Sequence, residues 1–121
     1  MATLNATLSL TSKDTTIKNK VALVFSKQIS TTNPVIHSGT FSVLHSGLTE
    51  VVTTSVSATT YVYLKNLDST NFVDLNNGAG TSYSILAAGE FCFIPIKGTK
   101  GLKLQADTAT CLVEYGIFTK A

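Results

Sequence analysis

Residues 2–10 read Ala2-Thr-Leu-Asn-Ala-Thr-Leu-Ser-Leu10, with Ala or Leu at every even position and Thr, Asn or Ser at every odd one. Successive side chains of a β-strand point to opposite faces, so this alternation predicts a half-buried strand with a polar outer face. The pattern continues over 21–26, where Val21, Leu23 and Phe25 fall on one side. The first predicted strand therefore already has an uncharged face that is rich in hydroxyl groups.

The same period of two extends along the chain, and no convincing helical period interrupts it. Turn-forming residues separate several of the stretches, above all at 76–80 (Asn-Asn-Gly-Ala-Gly) and 87–90 (Ala-Ala-Gly-Glu). Strands are predicted at residues 2–10, 21–26, 41–46, 50–58, 59–65, 72–75, 83–86, 91–96, 102–106 and 109–118. About nine or ten short strands at this spacing predict an all-β fold, a single antiparallel β-sandwich domain over 1–121 that is jelly-roll-like.

Two polar stretches interrupt the alternation in the first third of the chain. Residues 30–34 end at Pro34, which does not fit a central strand, so a break is expected there. Residues 11–20 hold three of the nine lysines and predict a solvated loop. The alternative is a contact loop, or a partly extended arm over 1–20 that becomes ordered on a partner.

Charged residues make up 13% of the 121 residues, and none of them is Arg. The usual share is about 25%, so Ser, Thr and Asn must form much of the surface. Either this uncharged β surface is sufficient for solubility, or neighbours in an assembly cover much of it. A standard contact hides about 800 Å² per partner, so a few contacts would cover a large part of a domain of this size.

Several classes of partner are not expected. A net charge of +2 without clustered basic residues argues against nucleic-acid binding. No window approaches 18 consecutive apolar residues, so no membrane span is expected. The start, MATLNATLSL, lacks the basic and apolar regions of a signal peptide. Synthesis in a cytoplasm without export, with reduced cysteines, is the expectation.

The residues that could carry chemistry do not form a motif. His37 and His45 lie eight residues apart, and with Cys92 and Cys111 they could in principle form a zinc site. The spacing is not that of a zinc motif, and both cysteines lie in apolar strands. We expect both thiols to pack as small apolar side chains, with a disulfide between them as the alternative. No metal, cofactor or catalytic residue is therefore predicted.

Other candidate sites have simpler structural interpretations. A run of oxygen-bearing side chains could bind calcium, although Asx turns are the better explanation because the spacing is not that of an EF-hand; its members are Asp68, Ser69, Asn71, Asp74 and Asn76. Residues 97–103 (Lys-Gly-Thr-Lys-Gly-Leu-Lys) lack the spacing of a phosphate-binding loop, so they predict a basic hairpin tip. Glu90 and Glu114 could form a glycosidase pair, but a turn cap and a solvent-facing position are expected instead.

Three stretches between residues 60 and 118 carry a recognisable pattern. They are Tyr61-Val-Tyr-Leu-Lys-Asn-Leu-Asp-Ser-Thr-Asn71-Phe-Val, Ile85-Leu-Ala-Ala-Gly-Glu90-Phe and Leu102-Lys-Leu-Gln-Ala-Asp-Thr-Ala-Thr-Cys-Leu-Val-Glu-Tyr115. They resemble the YxYLKN strand, LxxGE turn and closing AdTaxxxVEY strand of small virion proteins of tailed bacteriophages. These motifs are structural and contribute no catalytic residue.

The resemblance implies a non-enzymatic β-sandwich subunit located in a phage virion. In size it fits a capsid cement or decoration protein, whose partners would be the major capsid protein and copies of itself, with a trimer as one arrangement. Gly89 would permit a tight turn, while the core would hold Leu64, Phe91, Leu104 and Tyr115.

Two further functions remain open from the sequence. One is a tail, neck or fibre component of the same particle. The other is a carbohydrate-binding module with a small-molecule ligand, which would need exposed aromatic platforms. The chain has no Trp, and core packing is the simpler expectation for the tyrosines at 61, 63, 83 and 115. An enzyme would require a pocket that brings a His beside a Cys or a carboxylate.

Overall fold

A computed structural model of the chain describes residues 2–13, 21–32 and 37–121, and β-strands dominate these residues. The strands are β1 (Ala2–Thr11), β2 (Ala22–Thr31), β3 (His37–Val43), β4 (Thr49–Val52), β5 (Thr60–Asn66), β6 (Val73–Asn76), β7 (Ser82–Leu86), β8 (Phe91–Ile96), β9 (Leu102–Ala106) and β10 (Cys111–Thr119). A single 3-10 turn, Gly98–Lys100, lies between β8 and β9. The all-β prediction is confirmed, and the described part of the chain contains no helix of membrane-spanning length and hydrophobicity.

Eight of the strands form two four-stranded antiparallel sheets. One sheet has the order β3-β10-β5-β8, which we call the front sheet, and the other has the order β4-β9-β6-β7, the back sheet. β1 and β2 pair with each other as a two-stranded sheet, which we call the arm, and an isolated bridge joins Thr31 of β2 to Lys120 after β10. The predicted β-sandwich is therefore confirmed, with an additional hairpin outside it.

The core lies between the two sheets and follows directly from the period of two. In β5 every second side chain is buried, from Thr60 through Val62 and Leu64 to Asn66. The buried cluster consists of Val43, Val52, Val62, Leu64, Val73, Leu75, Leu86, Ile96, Leu102, Leu104, Ala106, Cys111 and Val113. All of these residues come from the two large sheets, and the buried Ile29 of the arm lies outside this cluster.

The core predictions are correct in part. Leu64 and Leu104 are fully buried, and Tyr115 is half-buried against the cluster. Phe91 is instead 57% exposed. It opens β8 with its side chain on the outer side of the front sheet, because Cys92 and Ile94 take the inward positions of that strand.

Three predicted strands have wrong boundaries, and tertiary contacts account for two of them. β2 extends through Ser30 to Thr31, since pairing with β1 supports polar residues on its outer face. Pro34 lies outside the described residues, as do residues 14–20 of the expected polar loop. The predicted strand over 41–46 lies instead at His37–Val43, and beyond it the carbonyl of Leu44 accepts a hydrogen bond from the Ala106 amide in the back sheet.

The predicted strand over 50–58 ends at Val52. Beyond that point Thr53 and Ser55 bond to each other through their hydroxyls at 2.8 Å. Short hydroxyl side chains of this kind favour local turns over continued strand pairing. The β-branched residues that predicted extended chain there are therefore in a connection between the sheets.

The turn before β8 is formed as predicted. Gly89 has φ of 77°, a conformation that favours glycine over every residue with a Cβ atom. The Glu90 carboxylate accepts a hydrogen bond from the Ala87 amide at 2.8 Å, and the Glu90 amide donates to the Ala87 carbonyl at 3.0 Å. Glu90 thus closes the turn from both its side chain and its backbone.

Candidate functional site

The arm has one apolar face and one polar face. Residues directly opposite each other in an antiparallel pair share a face, and the register aligns Leu4 with Ile29, Leu8 with Phe25 and Leu10 with Leu23. The opposite face holds Thr3, Asn5, Thr7, Ser9 and Thr11 from β1 together with Ala22, Val24, Ser26, Gln28 and Ser30 from β2. The alternation read from residues 2–10 therefore describes a two-sided ribbon.

The base of the arm is attached to the sandwich. The Thr32 amide donates to the Thr119 carbonyl, and the Ala121 amide donates to the Ser30 carbonyl, both at 3.0 Å. Ile29 and Thr31 are buried there, and Leu4 is half-buried. The arm is therefore continuous with the end of β10 at its base.

The outer half of the arm is uncovered on its apolar face. Leu8, Leu10 and Leu23 are between 41% and 47% exposed, and Phe25 is 59% exposed. These are the same positions of the pattern that are buried or half-buried at the base. Exposure along one face thus rises from the attachment point towards the outer end of the hairpin.

The outer face of the front sheet is aromatic. Outward positions alternate with the buried ones, and those of β5, β8 and β10 include Tyr61, Tyr63, Phe91, Phe93 and Phe118. Tyr61 and Phe93 stack with their ring centroids 5.9 Å apart and an interplanar angle of 4°. We call these five side chains the aromatic face.

The apolar face of the arm and the aromatic face enclose an open groove of about 720 Å³. Leu4, Leu8 and Phe25 line one side of the groove. Tyr63, Phe93 and Phe118 line the other side. This groove is larger than the depressions beside Glu90 and beside Lys97, of about 560 and 390 Å³, and it is mostly apolar, which makes it the candidate functional site.

The polar groups at the groove are few. Tyr63 donates a hydrogen bond from its hydroxyl to Oε1 of Glu114 at 2.8 Å. Partial burial raises the pKa of Tyr63, and the hydrogen bond and negative charge of Glu114 raise it further. Lys27 contributes a cationic side chain to the lining from the arm. The groove is thus an apolar surface with one positive and one negative group at its margins.

The two histidines are not brought into this site. His45 is exposed after the end of β3, where its carbonyl accepts a hydrogen bond from Nε2 of Gln105 at 3.0 Å. His37 begins β3, with its backbone opposite Ile117, and its side chain lies outside the described residues. Within the part of the chain that the structure describes, no group of three His, Cys, Asp or Glu residues could hold a metal ion.

The two cysteines occupy different environments, and both are free. Cys111 is fully buried as predicted, whereas Cys92 is only half-buried and lines the groove. β5 lies between their strands, and two strand spacings amount to roughly 10 Å, beyond the reach of a disulfide. Burial raises the pKa of both thiols, which disfavours the nucleophilic thiolate.

The oxygen-rich segment forms Asx turns, as predicted. The Asp68 carboxylate accepts hydrogen bonds from the amides of Asn71 and Thr70 at 2.6 and 2.9 Å, and these bonds lower its pKa. The side chain of Asn71 accepts a bond from the Thr108 hydroxyl at 2.8 Å, and Asp74 accepts one from Ser82. Asn76 donates to the Asp74 carbonyl. These oxygens already have partners within the fold.

The remaining candidates are also placed in structural roles. Glu90 lies at the turn before β8 and Glu114 in β10, with β5 between them, so the sheet separates the two carboxylates. Residues 97–103 form the 3-10 turn followed directly by β9. The amide of Gly78 donates to the Lys100 carbonyl at 2.7 Å, which ties this connection to the turn after β6.

The expectation for the tyrosines is wrong at three positions. Only Tyr115 packs into the core, with its ring 5.1 Å from that of Phe41 in an edge-on contact. Tyr61 and Tyr63 lie on the aromatic face, and Tyr83 is 54% exposed on β7. A signal was available, since stretches 59–65 and 91–96 are apolar at both parities, which predicts that the outward face is also covered.

Comparisons with protein-family models, with curated proteins and with solved structures found no match for this chain.

Proposed function

We propose that this chain is a non-enzymatic structural subunit of a tailed-phage virion, most simply a capsid cement or decoration protein. The observation that carries the proposal is the arm, an attached hairpin whose outer half presents Leu8, Leu10, Leu23 and Phe25 to solvent. Contiguous exposed apolar surfaces of this kind mark sites of protein–protein contact. Its partners would be the major capsid protein and further copies of the chain, and its location would be the assembled particle.

The strand order supports the finer fold assignment, a jelly roll. In the orders β3-β10-β5-β8 and β4-β9-β6-β7, only β6 and β7 follow each other within one sheet, and every other connection crosses between sheets. Eight strands arranged in this way fit two interleaved Greek keys. The jelly roll is a frequent architecture of viral capsid domains and also of lectins, so it agrees with the proposal and with its main competitor.

The use of the ionisable groups supports a passive role. Glu90 closes a turn, Asp68 holds an Asx turn and Glu114 accepts the Tyr63 hydroxyl. Both cysteine thiols have raised pKa values because they are buried. Each of these groups has a structural partner or environment that accounts for its presence.

The mechanism would be mechanical. A cement subunit binds across the contact between neighbouring capsid proteins, and many copies of a modest interface together give strong attachment. Low surface charge suits such a protein, because a charged side chain buried in a contact loses its hydration. The charged share of 13% therefore fits a subunit whose hydroxyl-rich faces become covered on assembly.

The deciding experiment is the copy number of this chain in purified particles, measured by quantitative mass spectrometry against the major capsid protein. A cement subunit is expected in a fixed ratio to the capsid protein, near equality or a simple fraction of it. A low copy number would favour the tail, neck or fibre alternative. Recovery only from lysate, after particles have been removed, would refute a virion role.

A carbohydrate-binding module is the second candidate, and the aromatic face favours it. Tyr61 and Phe93 stack as a pair on an outward surface, and sugar rings bind to aromatic side chains of this kind. The flanking arm makes the site an apolar groove and leaves few polar groups to orient hydroxyls. Binding of immobilised glycans that is lost in Phe93→Ser would support this candidate, and an array without binding would remove it.

A further inference from the structure

The arm and the sandwich differ in charge. Residues 1–32 contain four lysines and one aspartate, a net charge of +3, whereas residues 33–121 contain five lysines and six acidic residues, a net charge of −1. On the described arm strands the charged residue is Lys27, within the apolar face. Glu114 lies beside the aromatic face of the front sheet, directly opposite Lys65 of β5. The arm side of the groove is therefore positive, whereas the charges beside the aromatic face balance.

Both sides of the groove also keep large apolar side chains exposed within a single chain. Phe25 on the arm is 59% exposed and Phe91 on the aromatic face is 57% exposed within a single chain. On the aromatic face Tyr63 and Phe118 are partly buried, whereas Phe93 and above all Phe91 are left exposed. A two-stranded hairpin is at best marginally stable in water, so its outer half gains stability from a further apolar surface.

The exposed apolar area of the arm and the aromatic face is comparable to that of a protein–protein interface. The exposed apolar side chains of this region are Leu8, Leu10, Val21, Leu23, Phe25, Phe91 and Phe93. Seven half-exposed side chains of this size amount to on the order of 600 Å² of apolar surface. A standard protein contact buries about 800 Å² per partner, polar rim included. The arm and the aromatic face together therefore match one standard contact.

We propose that the occupant is a second copy of this chain, with the outer half of one arm docked on the aromatic face of its neighbour. The inference rests on the proposed function in that it names one of the partners of the assembled subunit. The exchange can be mutual in a two-fold dimer or sequential in a closed ring. In either case each copy both donates an arm and receives one.

Charge favours this arrangement over the pairing of two arms. Residues 1–32 carry a net charge of +3, so arm against arm would bring together two positive segments. The outer side of the front sheet instead carries Lys65 beside Glu114, which balance each other. Like charges at a contact cost free energy, and added salt screens that cost. Self-association through the aromatic face should accordingly change little as salt is raised, whereas arm-to-arm pairing would strengthen.

Cysteine cross-linking tests the geometry on the full-length chain. Leu10→Cys on the arm and Phe91→Cys on the aromatic face are made as separate proteins, each with Cys92→Ala and with the buried Cys111 retained. After mixing and mild oxidation, a band at twice 12.8 kDa that requires both variants is the expected result. Dimers formed by Leu10→Cys alone would instead show arm-to-arm pairing and overturn the proposal. A third protein carries Leu10→Cys and Phe91→Cys together, and an intrachain bond as its sole product would overturn the proposal as well.

Light scattering during size exclusion provides the second test. At about 50 µM, where a micromolar complex is populated, the wild-type chain should elute as an oligomer. Phe25→Asp should raise the dissociation constant by roughly 10- to 100-fold, the equivalent of one lost apolar anchor. Leu48→Asp is the matched control, since Leu48 is 43% exposed but does not line the groove.

The outcomes separate this inference from the proposed function. A monomeric wild-type chain, or an equal effect of Phe25→Asp and Leu48→Asp, would overturn arm exchange. Neither result would change the expected copy number of the chain in particles. Conversely, a self-associating chain that is missing from particles would refute the virion role and leave arm exchange in place.

Discussion

Tyr63 and Glu114 are joined across the outer face of the front sheet by a 2.8 Å hydrogen bond from the phenol to the carboxylate. Glu114 is aligned with Lys65, two residues along β5, so Tyr63 reaches it along the diagonal of the pair of strands. The bond holds the Tyr63 ring against the groove, next to Phe118. It is the main polar anchor of an otherwise apolar surface.

The first prediction follows from the raised pKa of Tyr63. A phenol whose pKa is higher in the folded chain stabilises the fold fully below its unfolded pKa, near 10, and this contribution is lost as pH rises further. The free energy of unfolding should therefore fall above about pH 10. Tyr63→Phe should flatten that decline. Tyr83, whose pKa burial also raises, remains in both proteins, so the difference between them isolates Tyr63.

Absorbance titration of the phenolate checks the cause. Glu114→Gln removes the negative charge beside Tyr63, so the pKa of this tyrosine should move down towards its ordinary value. In a Tyr63→Phe background, Glu114→Gln should leave the absorbance titration unchanged, because the responding phenol is absent. An unchanged titration in Glu114→Gln would contradict the account of this pair.

The second prediction concerns Asn66, which is fully buried at the end of β5. Its Nδ2 donates to the carbonyls of Asn71, Leu86 and Ala87 at 2.8, 3.1 and 3.3 Å, and its Oδ1 accepts from the Asp68 amide at 3.0 Å. Asn66→Ala leaves these buried groups without a partner and should lower the free energy of unfolding by about 3 kcal/mol. Urea denaturation at neutral pH measures it.

A matched control uses the asparagine of another turn. Oδ1 of Asn77 accepts from the amides of Ala79 and Thr81 at 3.0 Å, but at an exposed site where water can replace it. Asn77→Ala should therefore cost no more than about 1 kcal/mol. Equal losses in Asn66→Ala and Asn77→Ala would show that burial does not set the importance of Asn66.

The period of two made the sandwich predictable, because alternation assigns each side chain to a face before any partner strand is known. The boundaries of β6 and β7 were predicted to within one residue on this basis. It failed for β3 because the boundary there is set by pairing with β10 and by the bond from Ala106 to Leu44. These partners lie more than sixty residues away in the sequence, so local propensity could not predict this boundary.

The candidate site was predictable only in its parts. The apolar face of β1 was read correctly, but the pairing of β1 with β2 as a separate hairpin depends on the sheets closing without them. The resemblance implied a core position for Phe91, and hydrophobicity alone could not correct it, because it does not tell the inner face of a strand from an apolar outer face. The parity of Cys92 and Ile94, which point inward, resolves that ambiguity only once the sheet is known.

The third prediction compares three glycines. A Cβ atom on Gly98 would overlap the carbonyl oxygen of Val56, and backbone cannot move aside as a side chain can. Gly98→Ala should therefore cost more than about 3 kcal/mol or prevent folding. Gly89 has open space but a φ of 77°, so Gly89→Ala should cost about 1 kcal/mol. Gly47→Ala has open space and should change stability by less than about 0.5 kcal/mol.

Thermal and urea unfolding of the three variants give the ranking. The expected order is Gly98→Ala, then Gly89→Ala, then Gly47→Ala. A fully stable Gly98→Ala would contradict the close packing of the connection after β8 against residues 56–58.

The fourth prediction concerns thiol reactivity. Cys111 is completely buried, and burial raises its pKa, so a thiol reagent should modify it only when the chain unfolds. Cys92 is half-buried at the groove with a raised pKa, so it should react slowly at pH 7 and faster above about pH 9. Ellman's reagent should therefore count one slow thiol in the native protein and two in urea. Two fast thiols under native conditions would contradict the buried position of Cys111.

The last prediction separates the arm from the sandwich. Every residue of the buried cluster lies between Val43 and Val113, so removal of residues 1–32 leaves that cluster intact. The truncated chain loses the burial of Ile29 and uncovers part of Phe118, a loss of about 2–4 kcal/mol. It should still unfold in a single cooperative urea transition, with the native far-ultraviolet signal of β-structure, and it should be monomeric. A truncated chain that fails to fold would show that the arm is part of the folding unit, whereas a folded but still oligomeric one would place the contact elsewhere on the sandwich.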